Sequence, residues 1–102
     1  MTAIAIKSPS MSTGHGGWYP VTASNGFSTT AFINGVEVQL VGMTQYNVHT
    51  FDDISHPHDG AEHIVTTGSS SLIIENKKAT MVGEMMDCGD MIAVGSHNAF
   101  IQ

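Results

Sequence analysis

A stretch of this chain occurs twice. TTAFINGVEVQLVGM, residues 29–43, can be laid on SSLIIENKKATMVGE, residues 70–84, without a gap. Val41-Gly42 falls on Val82-Gly83, Leu40 on Met81, and Phe32-Ile33 on Ile73-Ile74. Asn34-Gly35 then falls on Glu75-Asn76, and a third copy begins at Ala99-Phe100-Ile101, preceded by Gly95-Ser96 as the second is by Gly68-Ser69. Asn-Gly between two runs of branched and aromatic residues predicts a β-hairpin, because both residues accept the positive φ angles of a tight two-residue turn. A lone hairpin cannot bury its own apolar face, so the copies must pack on one another. Ala3-Ile4-Ala5-Ile6 can supply the strand that the third copy lacks by pairing with Ala99-Phe100-Ile101, which closes the chain and gives approximate threefold symmetry.

The fold class is therefore all-β, made of short hairpin repeats in one domain spanning 1–102. Charged residues make up only 12% of the chain and no amphipathic helical period occurs, which favours short strands and turns over surface helices. With a net charge of −6 and only three Lys+Arg, no basic stripe exists to neutralise phosphates, so nucleic acid and anionic membrane surfaces are poor partners. No apolar run approaches the roughly 18 to 20 residues of a membrane span, and no signal-peptide core follows Lys7. A protein made in the cytoplasm is expected.

The single cysteine, Cys88, rules out a disulfide framework within the chain, and a domain this small gains from another crosslink. Six histidines make a metal the obvious choice. His15 lies in a Gly-rich turn, His49, His56, His58 and His63 lie in a polar connection over 46–63, and Cys88 lies in Asp87-Cys88-Gly89-Asp90. A threefold arrangement would bring these three connections to one end, where three imidazoles and a thiolate make a closed zinc set. The plainer alternative is that the loop histidines are solvated and Cys88 is a small buried hydrophobe. Asp52, Asp53, Asp59, Asp87 and Asp90 could orient imidazoles or simply keep the loops hydrated. The seven methionines raise copper as an alternative to packing. No nucleophile elbow or phosphate-binding loop is present.

In its order of elements the chain resembles a PAAR-repeat domain. In VTTGSSSLIIENKKATMVGEMMDCGDMIAVGSHNAFIQ, residues 65–102, a Gly-Ser-Ser strand, a hairpin, a Val-Gly-acid step, a Cys-Gly turn and a final Gly-Ser-x-x-x-Phe-Ile strand follow one another. Residues 26–43 and the His15-Gly16 turn are similar to its first half. Where the family has Pro-Ala-Ala-Arg, this chain has Glu37-Val38-Gln39-Leu40 and Lys78-Ala79-Thr80-Met81, and Met43 replaces the acid after the first Val-Gly. It would be a divergent member.

The resemblance implies a conical, pseudo-threefold tip pinned by zinc. Carried over by motif, the ligands are His15, His49, His58 and Cys88, with His56 or His63 as alternatives to His58. The implied function is to cap a trimeric β-helical spike of the VgrG or phage tail-spike type, one copy per trimer, and to sharpen it for piercing a target envelope. The expected place is a phage tail or type VI secretion apparatus, touching the target membrane transiently, with no catalytic role and no effector beyond the cone. A small cupin-like or hydrolytic metalloenzyme is the competing function, and a metal-storage or metal-sensing module a third; an open metal position would mark the enzyme.

Overall fold

In the computed structural model the described residues are 2–14, 19–48, 62–68 and 71–101, and they are all-β with no helix. The strands are β1 (Thr2–Ala3), β2 (Ala23–Asn25), β3 (Phe27–Ile33), β4 (Val36–Gln39), β5 (Gln45–Tyr46), β6 (His63–Ile64), β7 (Ile73–Ile74), β8 (Lys77–Lys78) and β9 (Phe100–Ile101). All pairings are antiparallel: β1 with β9, β3 with β4, β7 with β8, and β5 between β2 and β6.

Both expected hairpins form. Asn34 and Gly35 have φ of 53° and 78°, and Glu75 and Asn76 have 54° and 65°, so the second turn takes the same left-handed backbone without a glycine. The N-terminal strand pairs with the last one as expected, but only over Thr2↔Ile101 and Ala3↔Phe100, followed by the bond from the Ile4 amide to the Ala99 carbonyl. Beyond Ile4 the strand leaves that partner. The Ala5 amide donates to the Thr80 carbonyl (2.8 Å), the Thr80 amide to the Gln39 carbonyl (2.9 Å), and the Gln39 amide to the Ala5 carbonyl (3.0 Å). These three bonds make a closed cycle. A second cycle runs beside it, from Val41 to Lys78, Val82 to Ala3 and Lys7 to Glu37. The two cycles run in opposite senses, so each of the three segments donates to and accepts from both neighbours, and the strand leaves its hairpin partner to complete them.

Packing follows the same register. Ile4, Val38 and Ala79 form one buried cluster, flanked by Ile33, Ile74 and Ala99. A larger core gathers Ala5, Val21, Tyr46, Val65, Met86 and Ile92, with Cys88 packed against it. Met81 and Met86 are buried, which assigns those two thioethers to packing. Inside the core Tyr46 Oη donates to Gln39 Oε1 (2.9 Å), and Gln39 Nε2 donates to the Ile6 carbonyl (2.9 Å), so a buried amide finds partners on both sides.

Two glycines are set by close approach. A Cβ at Gly68 would lie 2.6 Å from Val41 Cγ2, and one at Gly95 would lie 2.9 Å from Val82 Cγ2. Val41 and Val82 are matched positions of the repeat; at the corresponding place in the N-terminal segment, Lys7 sits over the ring of Phe27, 5.5 Å from its centroid. The first copy also departs in its ladder. The Ala79 amide reaches the Leu72 carbonyl and the Ile4 amide the Ala99 carbonyl, but the Val38 amide donates to Ser28 Oγ, whose hydroxyl passes on to the Ala31 carbonyl. A serine hydroxyl thus bridges a register shift in β3.

Candidate metal centre

His63 is the first residue of β6 and pairs with Tyr46 of β5, a member of the larger core, and only 9% of the residue is exposed. Alongside β6 runs a tight turn, closed by bonds from the Met86 amide to the Asp90 carbonyl and from the Gly89 amide to the Met86 carbonyl. The Asp87 amide donates to the Ile64 carbonyl at 3.0 Å, and Val65 bridges Met86, so turn and strand are held in register. As a result His63 Nδ1 lies 2.6 Å from Asp87 Oδ1, and one donor atom each from His63, Asp87 and Cys88 lie within 4.8 Å of one another. Nitrogen, oxygen and sulfur donors from three side chains at this separation could hold a metal ion.

Burial pushes the Cys88 thiol up from its ordinary value, a main-chain hydrogen bond from Asp90 opposes it, and the carboxylates of Asp90 and Asp87 add to the rise. A bound cation would offset the repulsion between a thiolate and these carboxylates. Binding a metal there would therefore displace the thiol proton.

One further contact reaches this turn from the N-terminal part of the chain. Thr13 Oγ1 donates to Asp90 Oδ1 at 2.9 Å, which anchors the chain just ahead of His15. His15, His49, His56 and His58 themselves lie outside the described residues. Of the four ligands expected first, Cys88 is in the cluster; its imidazole partner there is His63, the alternative to His58, and Asp87 stands as the carboxylate on that ring. The signal for His63 was in the repeat. His63 precedes Gly68 by five residues as Asp90 precedes Gly95, so its register is that of the Cys88 turn.

No family model and no curated protein matches the chain.

Proposed function

We propose that this protein is a metal-pinned tip that caps a trimeric β-helical spike of a contractile tail or type VI secretion apparatus. The observation that carries the reading is a set of three exposed apolar side chains at one position of the repeat. Phe32, Ile73 and Phe100 are 55%, 57% and 46% exposed, although each belongs to a strand at the hairpin side of the closed hydrogen-bond cycle. Scattered exposed hydrophobics need no explanation, whereas three at matched positions around a cycle suit a partner that repeats three times.

The cycle through Ala5, Thr80 and Gln39 supports a pseudo-threefold body, since each segment stands in the same relation to the next. Such a body meets a trimer with one copy and leaves no subunit unmatched. The strand ends near Phe32, Ile73 and Phe100 would stack on the last turn of the spike's β-helix, covering its edges. At the other end of the strands, zinc held by Cys88, His63 and imidazoles of the neighbouring connections would draw the loops to a point. Structural zinc returns roughly 10 to 16 kcal/mol of binding free energy to folding in small peptides, enough to stiffen a domain of this size. The role is mechanical: a narrow, rigid cone concentrates the thrust of contraction on a small area of target envelope.

The test is binding to a trimeric β-helical spike protein from the same genome. The wild type should form a stable complex, and the combined Phe32→Asp, Ile73→Asp and Phe100→Asp variant should fold, with its metal, yet fail to bind. If the triple variant binds as well as the wild type, the matched apolar residues are not the docking face.

A further inference from the structure

The pair formed by His63 and Asp87 allows two assignments: both side chains ligate the metal, or the carboxylate holds the imidazole while the imidazole ligates. Their separation fits the second. Two donors on one tetrahedral zinc, each bonded at about 2.0 to 2.2 Å, stand about 3.3 to 3.6 Å apart. His63 Nδ1 and Asp87 Oδ1 are 2.6 Å apart, the distance of a short charge-assisted hydrogen bond. A ring nitrogen that donates its proton to a carboxylate has no lone pair left for a cation.

Resting on the role of this cluster as a metal centre, we infer that Asp87 is a positioning residue: it accepts the Nδ1 proton of His63 and thereby leaves Nε2 as the ring nitrogen that would bind a metal together with Cys88. The surrounding contacts hold this geometry from both sides. The main-chain bond from Asp87 to the Ile64 carbonyl fixes where the carboxylate starts, and the pairing of His63 with Tyr46 fixes where the ring starts. The His63 side chain is 11% exposed and that of Asp87 47%, so the contact joins a largely buried ring to a half-exposed carboxylate. The sequence places the two consecutive residues Asp87 and Cys88 in one turn, so a single turn supplies the thiolate to the metal and the acceptor that orients the imidazole next to it. A carboxylate in that outer position also raises the basicity of the ring nitrogen that binds.

The experiment is nitrogen-15 NMR of the histidine rings in the full-length protein, metal-free and zinc-loaded, with His63→Gln used to assign the resonance, followed by cobalt(II) substitution. In the metal-free protein at neutral to mildly alkaline pH, His63 should carry its proton on Nδ1, and zinc should shift Nε2. Asp87→Ala should scatter the tautomer and weaken zinc binding by roughly 10- to 100-fold. Its cobalt(II) form should keep the thiolate charge-transfer band and the ligand-field bands of the wild type, because no ligand has been lost. Asp87→Asn, which keeps an acceptor oxygen, should fall between the two. A His63 proton on Nε2 in the wild type overturns the inference, as does a cobalt spectrum that loses a ligand in Asp87→Asn or Asp87→Ala. A chain that takes up no metal overturns the metal centre itself, while the tautomer in the metal-free protein still decides the role of Asp87 toward His63.

Discussion

The amide of Ala5 donates to the carbonyl of Thr80 at 2.8 Å, and this bond commits the N-terminal segment to a repeat that lies far along the chain. Ala5 also accepts from Gln39, so residues 4 to 6 complete a cycle and are not a decorated tail. Ile4 and Ile6 are 6% and 4% exposed, and burying side chains of this size contributes roughly 1.5 to 3 kcal/mol each. Deleting residues 1–6 should therefore unfold or severely destabilise the whole domain. A chemical denaturation midpoint within error of the full chain would contradict ring closure.

The buried pair of Tyr46 and Gln39 makes a narrower prediction. Tyr46→Phe keeps the ring but leaves Gln39 Oε1 without the phenol donor in a site closed to water, and such a loss costs about 1 to 3 kcal/mol. Burial pushes the Tyr46 hydroxyl up to about 12, so the bond persists across the ordinary pH range. Urea unfolding of the variant measures the cost; a stability unchanged from the wild type would show that Gln39 is satisfied some other way.

Glu75 couples the second hairpin to the first. Its carboxylate accepts from the amides of Thr30 and Thr29 and from both their hydroxyls, and these bonds, led by the Thr30 amide, hold it below the usual carboxylate range. A carboxyl whose folded value is depressed adds stability above its unfolded value, about 4.3, and loses it as pH falls through the folded value. Glu75→Gln should thus melt below the wild type at neutral pH, and the gap should narrow under acid. Melting temperature as a function of pH checks it, and a gap that is constant or widens towards acid would remove the latch.

The metal centre predicts one tightly held zinc per chain. A strong chelator, Cys88→Ser, or His63→Ala should each lower the melting temperature markedly, because binding free energy in a small domain is folding free energy. Elemental analysis that finds no zinc, together with a melting temperature indifferent to chelation, would refute the pinning.

The hairpins were legible because turn chemistry and branched runs are local signals. Asn34-Gly35 marked the first turn, and register alone carried the second, since Glu75-Asn76 has no glycine to announce it. What Ala5 and Ile6 pair with was not legible, because their partners, Thr80, Gln39 and Val38, are chosen by the geometry of closure and not by any neighbour in sequence. The Ser28 bridge was hidden for a related reason: a hydroxyl inserted in a ladder looks like any strand serine. In the site, Cys88 stood out by its uniqueness. His63 was masked by the other histidines of the polar connection, although Ile64-Val65 after it has the pattern of a strand.

The central claim is that one chain imitates a threefold object, and the most direct test is the mass of its complex with a trimeric spike. Native mass spectrometry of the reconstituted assembly should give one copy of this protein per three spike chains, since the cycle through Ala5, Gln39 and Thr80 uses up the symmetry within a single chain. Three copies per trimer, or no complex at all, would contradict it.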